Sequence, residues 1–398
     1  MKQRVFNPVM GAVKGLLCLL TLLPLSVSAQ TNEQMGGVYY AYPIESGKAK
    51  PQLYPAPAGY EPFYISHYGR HGSRWLTSDS RYVWVNDQFA DQKNLTKLGK
   101  DVRQRLDKIW KNAKGNGGKL TALGGRQHRG IARRMYQNFP QLFTAEARLT
   151  AHSSVVGRCR NSMLAFLDEL KAQGCPKIPE AITDSADMAW IAYTSPEEKA
   201  LEGRTNIPLM LSPERFIKAL FIDPSKVTDP AKLLMELHTI ASDMQDVELN
   251  VSLYDLFTPE EMRAVYEKNN KGMTTVHGDV IENDGIPARS AISLWQRIEA
   301  DADAAIAQGG TGADLRFGHD SNLFRLMTLM GLDIQGKPMD ELLPMAANLQ
   351  MVFYRGKGQE VRGERDDDVL VQLRLNEQPV TIGDLSPLTS HLFIVGKL

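Results

Sequence analysis

The stretch from residue 63 to residue 75 constrains the fold more than any other part of the chain. It opens with aromatic and β-branched residues, a pattern typical of a short buried strand. This pattern runs directly into Arg70, His71 and Arg74, with glycines among them. Glycine lets the backbone turn sharply beside a ligand, and the planar fork of arginine matches phosphate oxygens. The stretch therefore predicts a strand that ends in an anion site, with His71 as a candidate nucleophile on phosphorus.

Two later segments repeat this arrangement of an apolar strand followed by polar chemistry. Residues 147–153 alternate like a strand and lead to Arg158, while residues 313–317 lead to His319 and Asp320. Because strand ends of an open α/β sheet meet at one edge, we expect these side chains to converge on one crevice. Arg158 and Asp320 are each expected at the N-terminus of a helix, which is itself favourable for an anion.

Motifs found in this order resemble those of the histidine phosphatase superfamily, in the branch that holds acid phosphatases and phytases. They are Arg70-His71-Gly72-Ser73-Arg74, which resembles the RHGxRxP signature; the helix start Leu120-Thr121-Ala122-Leu123-Gly124; the strand and helix start around Arg158; and His319-Asp320 followed by Asn322, which resembles HDxN. The sequence departs from the family pattern at Trp75-Leu76, where a proline turn is common, and at Cys159, where threonine is usual.

The resemblance implies a role for each residue of the candidate site. His71 would attack phosphorus and become phosphohistidine, which water then cleaves, and Asp320 would protonate the leaving group. The phosphoryl oxygens would be held by Arg70, Arg74, Arg158 and His319. No metal and no cofactor are expected, because arginines supply the positive charge that a metal would otherwise provide.

The charges expected in this site act on the protonation of its two catalytic candidates. Three nearby guanidiniums disfavour imidazolium and lower the pKa of His71, which leaves a usable nucleophile in mildly acidic solution. The same cations and a helix N-terminus favour the carboxylate form of Asp320, which conflicts with its role as proton donor. Bound phosphate would offset that effect.

The expected fold is a three-layer α/β core with a largely parallel central sheet and an inserted, smaller α-helical domain. Residues 30–175 and 301–398 are assigned to the core, beginning with an arm (30–62) that docks without regular structure. Residues 176–300 are assigned to the insert, because they are polar and amphipathic with no strand-like alternation. In the resembled family such an insert forms a roof over the active site and shapes substrate choice.

The sequence does not identify the substrate, because residues 176–300 contain no motif that indicates substrate specificity. Inositol hexakisphosphate, lower inositol phosphates, sugar phosphates and a broad range of monoesters are all compatible with the motifs. One family subgroup, which acts on inositol polyphosphates, has His-Ala-Glu in place of His-Asp. Asp320 disfavours membership of that subgroup.

Residues 1–29 are interpreted as a cleaved secretory signal, which predicts a periplasmic or secreted protein. Basic residues precede an apolar run that is too short for a membrane span, and small residues fit a cleavage site. The whole chain has 46 basic and 46 acidic residues, and the leader holds three basic ones and no acidic one. The remaining chain would therefore carry a net charge near −3, which argues against general nucleic-acid binding. The expected partner is a small phosphate monoester, with no integral membrane segment after cleavage; the sequence does not specify an oligomeric state.

Several other polar features have a structural interpretation. The basic helix at 126–134 is expected to be a solvated face, since no aromatics are interleaved for base stacking. His67 and His71 could form a metal pair, but they lie at a glycine turn and not on one helix face. Structural or surface roles are expected for His128, His152, His238 and His391, and solvated loops for residues 277–279 and 364–368.

The two cysteines outside the leader are expected to be free. A predicted helix separates Cys159 from Cys175, so their Cα atoms would lie roughly 24 Å apart. Bridged cysteines need Cα atoms within about 7 Å of each other.

The favoured function is a secreted phosphomonoesterase that works through phosphohistidine. Two alternatives remain. A phosphomutase of the superfamily's other branch would share Arg-His-Gly but would lack the His-Asp pair and the large helical insert. A non-catalytic phospholigand-binding protein would not need the complete set of catalytic side chains, and a turnover assay would distinguish it from an enzyme.

Overall fold

The computed structural model describes residues 30–45, 47–50, 55–334, 336–358, 369–380, 382 and 392–394. The leader of residues 1–29, the acidic loop of residues 360–368 and His391 lie outside the described residues, so the interpretations given for them stay predictions.

Eight strands of the described chain form a single sheet. They are β1 (Tyr60–Arg70), β2 (Arg148–Ser153), β3 (Ala181–Ile182), β4 (Gly312–Gly318), β5 (Asn348–Gly356), β6 (Leu370–Leu375), β7 (Gln378–Pro379) and β8 (Leu392–Ile394). The strand order is β3-β2-β4-β1-β5-β6-β7, with β8 also paired to β6. The neighbours β3, β2, β4 and β1 are parallel, whereas β5 is antiparallel to both β1 and β6. Strand β1 lies at the centre, where the parallel strands that the sequence predicts meet the antiparallel strands β5 to β8.

Helices pack on both faces of this sheet. They are α1 (Asp79–Gln88), α2 (Lys97–Ala113), α3 (Ala122–Asn138), α4 (Gly157–Ala172), α5 (Met188–Ile191), α6 (Pro196–Arg204), α7 (Glu214–Leu220), α8 (Pro230–Val247), α9 (Pro259–His277), α10 (Ile286–Gln308), α11 (Asp320–Leu329) and α12 (Met339–Leu342). Short 3₁₀ helices cover Gln34–Tyr39, Gln92–Asn94, Pro140–Leu142, Pro224–Lys226, Tyr254–Leu256 and Ile281–Asn283. Within the described ranges no helix is long and apolar enough to cross a membrane.

The central strand β1 is buried on both faces, which explains its nearly continuous apolar sequence. Ile65 packs on one face among residues of α3 and α4, including Phe166. Tyr64 and Tyr68 pack on the other face among residues of α10 and α11, including Leu323. Two hydrophobic clusters therefore sandwich the sheet between helices, which confirms the three-layer α/β core.

A third hydrophobic cluster joins helices from two separate parts of the chain. It contains Val85 of α1 and Leu106 of α2 together with Phe216 of α7, Leu237 of α8 and Val265 of α9. The helical layer is thus shared between residues assigned to the core and residues assigned to the insert. Contacts join the described chain from Thr31 onward into one compact unit, so an insert that forms a domain of its own stays a prediction.

The edges of the expected insert differ from the secondary structure in two places. Strand β3 lies within residues 176–300 and pairs with β2, although no strand was expected there. Two residues are too few to produce an alternating pattern. At the other edge, residue 300 falls inside α10, whose residues Leu294 and Ile298 pack against the sheet. The N-terminal arm also differs, because Gln34–Tyr39 forms a short 3₁₀ helix where no regular structure was expected.

Candidate functional site

Three strand ends bring the predicted site residues to the same edge of the sheet. In the register of β1 and β4, Arg70 lies opposite Gly318, and Ser153 of β2 lies opposite Phe317. Beyond the strands, the His71 amide donates to the Gly318 carbonyl at 3.0 Å. Parallel neighbours that end in register explain why residues far apart in sequence converge here.

The loop after β1 packs closely against the start of α3, and glycines at both positions make this contact fit. A Cβ atom on Gly72 would lie 2.5 Å from the Gly124 carbonyl oxygen, and one on Gly124 would lie 2.3 Å from the Ser73 carbonyl oxygen. Thr121 caps the helix by accepting a hydrogen bond from the Gly124 amide. The helix start that resembles the family motif therefore supports the signature loop directly.

His71 is buried and oriented for attack through one ring nitrogen. Its Nδ1 lies 2.9 Å from the Gly72 carbonyl oxygen, which can only accept, so Nδ1 carries the hydrogen. Nε2 is then left with a free lone pair. Burial lowers the pKa of His71 well below its usual value, and the charges of Arg70, Arg158 and Arg74 lower it further. The lowered pKa agrees with the neutral ring expected from the sequence, and burial is a cause that the sequence did not indicate. The role of His71 as nucleophile stays a prediction.

The three predicted phosphate-binding arginines lie around His71 with donors left over. The Nε groups of Arg70, Arg74 and Arg158 are buried and have no hydrogen-bond partner in the part of the chain that the structure describes. The other end of Arg70 is fixed, since its Nη1 donates to the carbonyls of Val38 at 2.7 Å and Leu343 at 2.6 Å. Buried donors without partners are costly unless a ligand satisfies them. We call these three side chains the arginine cradle.

Asp320 lies at the N-terminus of α11 and pairs with the arginine cradle. Its Oδ2 is 2.8 Å from Arg70 Nη2, and its Oδ1 accepts from the Ser321 amide at 2.9 Å. Burial raises the pKa of Asp320, but interactions with the Arg70 guanidinium, the His319 ring and the Arg74 guanidinium outweigh burial and hold the pKa below its usual range. The conflict expected from the sequence is therefore present: without a ligand, Asp320 is ionised.

His319 borders the same space as His71, with ring centroids 5.9 Å apart. Its Nε2 lies 3.1 Å from the Ser154 hydroxyl oxygen. Cys159, at the position where threonine is usual, donates through its thiol to the Gly318 carbonyl at 3.2 Å and touches the His319 ring. Burial lowers the pKa of His319 to about 4, so its ring is neutral. All six predicted site residues are therefore assembled around one space.

Two carboxyl groups of α8 support the signature loop and were missed by the sequence analysis. Ser73 donates to Asp246 Oδ1 at 2.5 Å, while the Tyr82 hydroxyl donates to Asp243 Oδ2 at 2.9 Å and accepts from the Leu76 amide. Burial raises the pKa of Asp243 to about 7 and that of Asp246 well above its usual value. No motif marks either aspartate, and α8 lies about 170 residues beyond the signature, so no local pattern could have found them.

The N-terminal arm also contacts the cradle, which the sequence did not indicate. Val38 provides the carbonyl that accepts from Arg70, and the Arg74 guanidinium lies 5.0 Å from the centroid of the Tyr39 ring. Arg81 of α1 donates to the Tyr39 hydroxyl at 3.0 Å.

The other histidines have structural positions. His67 and His128 are fully buried beside Phe317, and none of their ring nitrogens has a partner among the described residues. His277 corrects an expectation: it is almost buried at the end of α9 and lies 2.7 Å from Glu198, not in a solvated loop. No group of three or more metal-binding side chains occurs in the described ranges.

The remaining expectations concern the cysteines and the basic helix. Cys159 and Cys175 are both free and buried, as predicted. The arginines of α3 pair with carboxylates along the helix surface: Arg126 with Glu248, Arg129 with Asp168, Arg133 with Glu169, and Arg134 with both Glu45 and Glu377.

Comparisons with known proteins find relatives by structure only. No family model matches the chain, and no curated protein matches it in sequence. The apo structure of multiple inositol polyphosphate phosphatase from Bifidobacterium longum is similar with a TM-score of 0.72 and 18% identity, over 93% of this chain and 97% of that one. The phytase from D. castellii is similar with a TM-score of 0.65 and 14% identity, over 92% of this chain and 83% of that one. The phytase from Citrobacter braakii is similar with a TM-score of 0.54 and 14% identity, over 84% of this chain and 95% of that one.

These similarities agree with the motifs found in the sequence. The structural relatives belong to the histidine acid phosphatase branch. At such low identities the likeness concerns the fold, and it extends over nearly the whole of this chain. The chain therefore has the fold of these inositol polyphosphate phosphatase and phytase structures, which agrees with the resemblance indicated by the signature.

Proposed function

We propose that this protein hydrolyses phosphate monoesters through a phosphohistidine formed at His71. The observation that carries the proposal is the arginine cradle, whose buried and unpartnered Nε groups surround a neutral histidine. A phosphate monoester has close to two negative charges and several acceptor oxygens, which match this set of donors. Phosphoryl transfer depends mainly on positioning and charge stabilisation, and the cradle supplies both.

The first step transfers the phosphoryl group to the enzyme. His71 Nε2 attacks phosphorus while the bond from phosphorus to the ester oxygen breaks, and the bonding electrons leave with that oxygen. Asp320 gives its proton to the departing oxygen, which leaves as an alcohol. The cradle and His319 hold the other phosphoryl oxygens throughout.

The second step regenerates the enzyme. A water molecule attacks the phosphorus of phosphohistidine, and the Asp320 carboxylate accepts the proton that the water loses. The bond between phosphorus and nitrogen breaks, and its electrons return to Nε2. Inorganic phosphate and neutral His71 result, while Asp320 is protonated again.

Substrate charge favours the protonated form of Asp320, which is ionised in the free enzyme, and the proton itself comes from the solvent or from a monoanionic phosphate ester. A phosphate dianion beside Arg70 competes with Asp320 for the guanidinium, because both lie within reach of the same group. It also places negative charge next to the carboxylate, and both effects raise the pKa of Asp320. The ion pair between Arg70 and Asp320 is then a feature of the resting state, and substrate binding prepares the acid.

The substrate class and the location extend this proposal. The Bifidobacterium longum structures include a complex with inositol hexasulfate, and that enzyme is named for inositol polyphosphates. The backbone of this chain matches that enzyme with a higher TM-score than the phytases quoted above, yet Asp320 stands where the subgroup has His-Ala-Glu. We propose inositol phosphates as the first class to test, and secretion to the periplasm or beyond through the leader.

A single variant tests the proposed chemistry. His71→Ala should abolish turnover, and the wild-type enzyme should trap an acid-labile phosphate on His71 after a rapid quench. His152→Gln serves as the control, since His152 pairs with Asp187 and not with the cradle. Substrates should be inositol phosphates, sugar phosphates and p-nitrophenyl phosphate at several pH values, with and without a chelator.

Two results would contradict the proposal. Label on another residue, or activity retained in His71→Ala, would refute the assignment of the nucleophile. Tight binding of phosphate esters by wild-type protein without any turnover would instead support the non-catalytic phospholigand-binding alternative.

A further inference from the structure

Tyr39 of the N-terminal arm lies beside the arginine cradle and has an unusual hydrogen-bond environment. Its hydroxyl oxygen accepts from Arg81 Nη1 at 3.0 Å, and its ring faces the Arg74 guanidinium, with 5.0 Å between the guanidinium carbon and the ring centroid. A guanidinium has donors only, so Arg81 uses the phenol oxygen as an acceptor and Arg74 lies over the π face of the ring. The phenol's own hydrogen has no acceptor among the described residues.

The position of this hydroxyl connects it to the other cradle arginines. Burial lowers the pKa of Arg70 and that of Arg158, and negative charge on Tyr39 would oppose both shifts. The preceding residue, Val38, fixes Arg70 through a 2.7 Å hydrogen bond to its carbonyl. Arg81, in turn, is held by Glu236 at 2.8 Å. The acceptor side of the phenol is therefore fixed by protein, while Tyr39 stays partly exposed to solvent.

A hydroxyl surrounded by cations lacks only an anionic acceptor. We propose that Tyr39 is a substrate-binding residue, whose O–H donates to a phosphoryl oxygen of the ester bound in the cradle. This inference rests on the proposed function, because the phosphoryl group is the acceptor. It gives the arm a direct role in the site and adds a neutral donor to the charged ones.

Substitution of Tyr39 by phenylalanine tests the contribution of the hydroxyl group alone, because the aromatic ring is kept. Tyr39→Phe keeps the ring that faces Arg74 and its packing against the helical cluster, and it removes the single donor. A hydrogen bond to a charged group contributes enough that its loss should weaken binding of inorganic phosphate about 10- to 100-fold. KM for phosphate esters should rise in parallel, while the midpoint of thermal unfolding without phosphate falls only slightly, because Arg81 loses one acceptor and keeps Glu236.

The experiment measures the Kd of inorganic phosphate by calorimetry for wild type, Tyr39→Phe and Tyr40→Phe. Tyr40 is the matched control, since it lies next in the same arm and faces Lys48, not the cradle. A crystal structure of the wild type with tungstate gives a second readout, in which Tyr39 Oη should lie within about 3.2 Å of an oxyanion oxygen.

The outcomes separate this inference from the proposed function. Wild-type protein that binds no phosphate and turns over no ester would refute the function itself. Wild-type protein that binds and turns over, with Tyr39→Phe equal to it in Kd and KM, would overturn the role of Tyr39 alone. A tungstate complex with Tyr39 Oη beyond hydrogen-bond distance of every oxygen would do the same.

Discussion

Two groups of arginines in this protein have opposite surroundings. The arginines of α3 each lie against at least one carboxylate, as in the 2.8 Å pair of Arg133 with Glu169. In the arginine cradle only Arg70 has an ion-pair partner among the described residues. The Nε groups of all three cradle arginines are buried and have no hydrogen-bond partner among those residues. The same residue type is paired with carboxylates in one region and mostly lacks carboxylate partners in the other.

The difference shows that local pairing, and not the number of arginines, marks an anion site. The segment 126–134 has the denser positive charge in the sequence, yet its charges are already balanced by the fold. The cradle keeps like charges together in a buried place, which opposes folding and favours an anionic ligand. A mutation in the cradle should therefore affect activity, and one in α3 should affect stability slightly.

Among these charged groups, the largest effect is expected at Asp320, the one carboxylate in an ion pair with the cradle among the described residues. Asp320→Asn cannot donate a proton to the leaving group, so hydrolysis of alkyl phosphates should slow by roughly 10²–10⁴-fold. The phosphorylation step of p-nitrophenyl phosphate should slow much less, because its leaving group needs little protonation. Rapid-quench measurement of phosphorylation rates makes the comparison.

The two ester types supply the control within this experiment. Breakdown of phosphohistidine could mask the difference at steady state, which is why the first step must be measured. An equal loss for both esters would mean that Asp320 positions the site and does not supply the proton. Wild-type activity should favour acidic to near-neutral pH, and an optimum above about pH 8 would contradict the pairing of acid and nucleophile.

An intermediate effect is expected when a cradle arginine is removed. Arg158→Ala loses a charged donor to the phosphoryl group, which should lower kcat/KM about 10- to 100-fold. Its free energy of unfolding should stay the same or rise, because Arg158 is partly buried near the like charge of Arg74. Kinetics and urea unfolding on the same preparation check both parts.

The smallest effect is expected for the matched change in α3. Arg133 is half exposed and Glu169 is almost buried, so Arg133→Ala should lower the free energy of unfolding by less than about 1 kcal/mol. Its kcat/KM should equal that of the wild type. If Arg133→Ala reduced activity as much as Arg158→Ala, the distinction between paired and unpaired arginines would have no functional meaning.

The sequence predicted the parts of the site that follow directly from strand ends. Five of the site residues lie at the end of a buried strand or soon after it, and parallel pairing in register brings them together. They are Arg70, His71, Arg158, His319 and Asp320. The aromatic and β-branched run at the start of residues 63–75 also indicated a buried strand, while the three-layer core was expected together with the family resemblance.

The supporting residues could not be predicted in the same way. Asp243 and Asp246 act across the boundary between helix and loop, and their contacts depend on how α8 packs. Tyr39 depends on where an arm without a sequence pattern docks. The two-residue strand β3 is too short to have a period. Each of these features is set by tertiary contacts, which leave no local signal in the chain.

The buried histidines limit how far the pH can fall before the folded protein loses stability. Burial lowers the pKa of His67 and His128 to about 3 and that of His238 to about 4, against about 6.5 in an unfolded chain. Below pH 6.5 the unfolded chain therefore binds protons that the folded protein cannot accept. Their contribution to stability is complete above pH 6.5 and is lost as the pH falls toward 3.

The pH dependence of stability runs opposite to that of catalysis, because a lower pH destabilises the fold but favours the protonated form of Asp320. The protein is thus confined to a pH range in which the charge of the bound substrate, and not strong acidity of the medium, raises the pKa of Asp320 enough for it to hold a proton. Urea unfolding between pH 7 and pH 4 should show stability that declines steadily with acid. A constant free energy of unfolding across that range would mean that these imidazoles accept protons without unfolding.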